Sequence, residues 1–143
     1  MSIQLQWESV ADVFEEFSPL FDEHYFEIYG KRINVKQETI LHLEQNGALL
    51  LLVAREDGAP IGYYSCTCTP TIYNSEVIEA RDIGIYVIPE KRNQGITTAM
   101  QDTMDLQLKE YGISYTFVSY PNESTIPTSQ GYRVKEIVYQ RML

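Results

Sequence analysis

The spacing of apolar residues changes period several times along the chain, and each change marks an element. Ile3-Gln4-Leu5-Gln6-Trp7 alternates and predicts a first strand. Val10 to Tyr29 reads as helix, with acids (Asp12, Glu15, Glu16, Asp22, Glu23, Glu27) interleaved with aromatics (Phe14, Phe17, Phe21, Tyr25, Phe26, Tyr29). Ser18-Pro19 predicts an interruption, because proline fits only the first turn of a helix. A second helix over 36–45 ends at Asn46-Gly47, a good C-terminal stop. The continuous apolar run over 48–54 predicts a strand covered on both faces. Asp57-Gly58 then predicts a hairpin into a strand over 61–68. After a loop over 69–75, residues 77–88 read as the next strand, in which Gly84 implies a bulge or a close backbone approach.

The second half keeps this rhythm. Ile96, Met100, Met104, Leu108 and Tyr111 recur three or four apart, while Asp102, Asp105 and Lys109 fall opposite them. Gln107 breaks the apolar stripe, and Gly112 supplies the stop. Residues 114–120 predict a strand, 121–130 a short helix interrupted by Pro127, and 132–142 a final strand. Helices packed on a mixed sheet, an α/β (α+β) arrangement, follow from this order. The 143 residues contain no repeat or linker and read as one domain, 1–143.

Composition sharpens this reading in three places. No apolar run approaches the ~20 residues of a membrane span, and no basic-then-apolar leader opens the chain, so the expected compartment is the cytoplasm. The net charge of −9 offers no basic stripe for nucleic acid and suits a cationic acceptor. Cys66 and Cys68 are too close in sequence for an unstrained disulfide and read as free thiols, and two scattered histidines, His24 and His42, make no metal site.

The stretch Arg92-Asn93-Gln94-Gly95-Ile96-Thr97 stands out against the acidic background. It joins an apolar strand to an amphipathic helix, the local geometry that holds a pyrophosphate. A helix start leaves N–H groups unpaired and carries about +0.5 of a charge. Glycine admits a phosphate close to the backbone, and Lys91 and Arg92 supply positive charge there.

Val87-Ile88-Pro89-Glu90-Lys91-Arg92-Asn93-Gln94-Gly95-Ile96-Thr97 resembles the acetyl-CoA signature of the GNAT family of N-acetyltransferases, Val-x-Pro-x-x-Arg-x-x-Gly-x-Gly/Ala. The third small position is Thr97, which adds bulk and a hydroxyl donor. The element order is also that of the family, strongly over 48–120. The resemblance implies the GNAT fold, with a mixed central sheet of about six to seven strands flanked by helices. It implies acetyl-CoA as cofactor, lying where two parallel strands splay apart after a bulge. Ile85, Tyr86 and Val87 would offer backbone to the pantetheine arm, to which Asn122 would also bond. Arg92, Asn93, Gln94, Gly95, Ile96 and Thr97 would hold the pyrophosphate, with Thr98 nearby. Asp82 followed by Tyr86-Val87-Ile88-Pro89, the small size and the acidic balance are similar to short phage-encoded members, whose setting would be a host cytoplasm.

Acetyl transfer needs a neutral amine, whereas a lysine-like amine (pKa ~10.4) is mostly protonated at neutral pH. By resemblance the base is a carboxylate on the strand before the turn, here Asp82 or Glu79. The family's tyrosine acid falls at Thr128 or Ser129, which leaves Tyr132, Tyr120, Ser129 or no residue to replace it. Two functions stay open. One is an acetyl-CoA-dependent N-acetyltransferase acting on a primary amine of a small molecule or of a protein (a lysine or the N-terminus). The other is a GNAT-fold protein that binds a host or partner protein with little or no catalysis. The resemblance also admits a homodimer formed through an exposed strand edge.

Overall fold

A computed structural model describes residues 2–31, 36–119, 131–134, 137 and 139–143. In chain order the elements are β1 (Ile3–Trp7), α1 (Val10–Tyr29), α2 (Gln37–Gln45), β2 (Leu49–Glu56), β3 (Ala59–Pro70), β4 (Ile78–Val87), α3 (Ile96–Glu110) and β5 (Tyr115–Phe117). They form a five-stranded sheet ordered β1-β2-β3-β4-β5. The first three pairings are antiparallel and β4–β5 is parallel, so the sheet is mixed. The β2–β3 hairpin turns at Asp57-Gly58, both with positive φ, opposite the pair Glu56 and Ala59.

The buried run in β2 divides between two cores, as a strand covered on both faces must. Leu52 and Ala54 join Ile61, Tyr64, Ala80, Val87, Met100 and Met104 under α3. Leu49, Leu51 and Val53 join Val10, Val13, Phe17, Tyr63 and Tyr86 under α1. The α1 start is fixed by α2. Glu44 accepts hydrogen bonds from the Ser9 hydroxyl and from the backbone amides of Val10 and Ala11, which otherwise lack helical partners.

Two expectations are corrected. Helix α1 runs unbroken through Pro19. Pro19 is exposed while Val13, Phe17 and Leu20 are buried, so the missing amide lies on the outer face, where water can serve the freed carbonyl. Among the described residues the sheet has five strands rather than six to seven. Strand β5 covers only Tyr115–Phe117, and the described residues of 132–142 form no strand. Val134, Ile137 and Tyr139 are largely exposed. Their β-branched and aromatic character suits a strand, but strand propensity expresses itself only against a ladder partner. The short helix expected over 121–130 lies outside the described residues.

Candidate active site

The β4–β5 ladder is three residues long: Glu79 opposite Tyr115, Ala80 opposite Thr116 and Arg81 opposite Phe117. Strand β4 continues to Val87, paired only with β3 among the described residues. From Asp82 onward one of its edges is therefore open. The opening coincides with a bulge. Ser65 pairs with Gly84 and Cys66 with Asp82, so Ile83 is the extra residue on β4. The residues Ile85, Tyr86 and Val87 lie beyond it; the backbone groups of Ile85 and Val87 face away from β3 at the open edge, while those of Tyr86 face β3.

The chain then makes a single 3-10 turn, Pro89–Lys91, and reaches α3 through Asn93 (φ 63°) and Gly95 (φ 79°), both left-handed. No side chain caps α3, and its first turn carries no acid. The first intrahelical bond is from the Ala99 amide to the Gly95 carbonyl at 3.0 Å, which leaves the amides of Ile96 and Thr97 at the helix start for an anion. Ile96 is buried and anchors the turn, Gln94 and Thr98 are exposed, and Thr97 is half-buried. These features fit a pyrophosphate: a concave run of donors, no competing carboxylate and a glycine at the left-handed position.

Arg92 does not stand free beside the turn. Its Nε donates to the Val87 carbonyl at 2.8 Å, and its Nη2 pairs with Glu27 of α1 at 2.7 Å. The guanidinium also lies over the Tyr86 ring at 5.4 Å. It links α1, the end of β4 and the turn.

Asp82 sits at the apex of the opening. Its Oδ2 accepts the Ser119 amide at 2.9 Å and so ties down the chain leaving β5. Burial raises its pKa above the usual carboxylate value, against the opposing pull of the Ser119 bonds and Arg81. Glu79 lies back in the paired part of β4, 3.4 Å from the Arg81 guanidinium, and the structure does not bring it to the opening. Tyr132 is half-buried near Tyr64, whose hydroxyl pKa is raised by burial and further by Tyr132, Cys66 and Asp82. Asn122, Tyr120, Thr128 and Ser129 lie outside the described residues. Cys66 is buried and Cys68 half-buried, and both thiols are free.

A group that the sequence did not single out lies on the α1 face of the same opening. His24 Nδ1 is 2.5 Å from the Tyr63 hydroxyl, and the imidazole stacks on Tyr86 with centroids 5.0 Å apart. The Tyr86 hydroxyl donates to Glu23 at 3.1 Å. Gly84 carried the signal for this group, because the close approach it implies is made by His24.

Comparison with known proteins agrees with this geometry. No curated protein sequence matches the chain. Solved structures do. A ribosomal-protein-alanine N-acetyltransferase from Brucella melitensis biovar Abortus 2308 superposes with a TM-score of 0.80 at 20% identity, covering 100% of this chain and 99% of that one. An aminoglycoside acetyltransferase from an uncultured soil metagenomic sample gives 0.78 at 17% identity over 99% and 96%. An acetyltransferase from Clostridium acetobutylicum, solved with acetyl-CoA, gives 0.75 at 16% identity over 99% and 96%. At such identities the likeness establishes the fold. The family model described as "Acetyltransferase (GNAT) family" matches residues 7–128. A strand that leaves its parallel neighbour at a bulge, an uncapped helix start beyond it and a family match over most of the length place this chain in the GNAT acetyltransferase family.

Proposed function

We propose that the chain is an acetyl-CoA-dependent N-acetyltransferase whose acceptor is a primary amine. The observation that carries this reading is the open edge of β4 running directly into the uncapped start of α3. An extended arm can bond the outward backbone groups of Ile85 and the Val87 amide as a strand would, with Tyr86 between them, while its diphosphate meets the amides of residues 93–97. The bound cofactor would supply the activated acetyl group. Asp82, fixed on Ser119, holds the apex of the opening. Along α1, Asp22, Glu23 and Glu27 line a groove with Pro19 and Phe26, a negative surface that favours a cationic acceptor.

Calorimetry with acetyl-CoA, followed by mass spectrometry of a polyamine, a lysine peptide and an aminoglycoside after incubation with both, tests the reading. Cofactor binding and a gain of one acetyl group on an amine are expected. No heat and no thermal shift at millimolar acetyl-CoA would sink it, since a ligand of the native state must stabilise that state.

Thr97 and the pairing of Arg92 with Glu27 favour a second reading, a partner-binding protein of this fold with little turnover. A stable complex with one partner that carries no acetylated amine would establish it.

A further inference from the structure

Helix α1 comes close to β4 at the bulge. A Cβ placed on Gly84 would stand 2.7 Å from His24 Cε1 and 3.1 Å from Nδ1. The imidazole thus lies on the strand's backbone at the first residue past Ile83, next to Ile85, Tyr86 and Val87. The Tyr63 hydroxyl and the Tyr86 ring hold it from two sides. Among the described residues nothing bonds its Nε2. The ring also lines a cleft of about 280 Å³ walled by Phe21, Tyr25, Ile40 and Ile83. Asp82, the alternative at the apex, already has its carboxylate on the Ser119 amide.

We propose that His24 is the catalytic residue that takes the proton from the incoming amine, with Tyr63 as its positioning residue, in a reaction site that includes the cleft beneath α1. The assignment rests on the N-acetyltransferase reading above. With Nδ1–H donating to the Tyr63 hydroxyl oxygen, the lone pair is on Nε2. An acceptor R–NH3+ gives one proton to Nε2 and becomes a neutral amine. Its nitrogen then bonds the acetyl carbon as the carbon–sulfur bond breaks, and the electron pair leaves on sulfur. The second amine proton goes to that sulfur, so the products are R–NH–acetyl, a thiol and imidazolium, which returns its proton to water.

The surroundings favour a neutral imidazole. The groups facing it are Glu23 and Glu27 from its own helix, Tyr63 from β3, Tyr86 from β4 and Arg92 from the turn. Burial lowers its pKa below the ordinary histidine value, Glu27 opposes this and Arg92 reinforces it. Burial also raises the Tyr63 pKa, so Tyr63 keeps its proton and serves as a fixed dipole.

The test combines kinetics on the three amines with calorimetry and NMR. In the unliganded chain the His24 ring is expected to titrate below its ordinary value, and kcat/KM should show an acidic limb at that same pH. His24→Gln should lose at least ~10²-fold in kcat/KM near neutral pH, together with the acidic limb. Its acetyl-CoA affinity should be unchanged, which shows it folded. Tyr63→Phe should keep turnover with the limb moved to lower pH, because the imidazolium loses its acceptor. His24→Gln with an undiminished rate and an intact limb overturns the assignment alone. A wild-type chain that binds acetyl-CoA but acetylates no amine overturns the N-acetyltransferase reading, and the assignment with it.

Discussion

At the scale of single residues, Gly84 and Asp82 show how much one position in β4 decides. Gly84 is a place where a side chain is opposed by a neighbouring side chain rather than by its own backbone. Gly84→Ala should cost about 1–3 kcal/mol by overpacking against the imidazole. The same change in a His24→Ala background should cost clearly less in a denaturant titration, and equal costs would break the link between the two residues. Asp82 makes a pH prediction. Its native pKa is raised, so its contribution to stability is fully present below the unfolded carboxylate value of ~3.9 and is lost as pH rises through the native value. Asp82→Asn keeps an oxygen for the Ser119 amide but cannot ionise. Its stability relative to wild type should therefore improve from pH 4 to pH 7, and a constant difference would remove burial as the cause. Of Asp82 and His24 the sequence singles out only the first. Asp82 stands out as an acid in an apolar run, whereas His24 acquires its meaning from partners about 40 to 60 positions away.

At the scale of elements, the strand–turn–helix unit from β4 to α3 was readable because its signals are local. An apolar run, a proline, a left-handed glycine and a helical stripe fall within about thirty residues and need no distant partner. Arg92 belongs to the same unit, but its side chain reaches back to α1, and no local pattern encodes that. The Arg92–Glu27 pair is about two-fifths exposed on each side, so breaking it costs only ~0–1 kcal/mol. Releasing Nη2 from Glu27 toward a diphosphate is therefore inexpensive, while Nε stays on the Val87 carbonyl. Arg92→Ala should weaken acetyl-CoA binding by roughly 1–3 kcal/mol, and Glu27→Gln should tighten it by less than ~1 kcal/mol. Opposite signs in calorimetry support this role, and unchanged affinity in both variants would place the phosphates elsewhere. The unbroken α1 and the absence of a last strand among the described residues share one cause. Proline and β-branched residues set local costs, and packing decides whether those costs are met.

At the scale of the whole molecule, one sheet separates two cores that touch different helices. Met100 and Met104 are fully buried under α3, and Phe17 under α1. Adjacent residues of β2 alternate between the two cores, so loss of either should propagate through the sheet. Met104→Ala should cost about 2–5 kcal/mol. Its unfolding followed by the single tryptophan, Trp7 on the distant edge strand β1, should coincide with unfolding followed by far-UV circular dichroism. Two separate transitions would mean that the cores melt independently.

The three-residue parallel ladder also has a consequence in time. Glu79 and Tyr115 are 36 residues apart in the chain and meet only after α3 has been laid across the sheet. Long-range parallel pairing closes a large loop for few hydrogen bonds. The amides of β5 should thus gain protection from hydrogen exchange during refolding after those in β2 and β3, and lose it before them under native conditions. The hinge of the opening would then be the least stable part of the sheet, able to breathe while the two cores on either side stay closed.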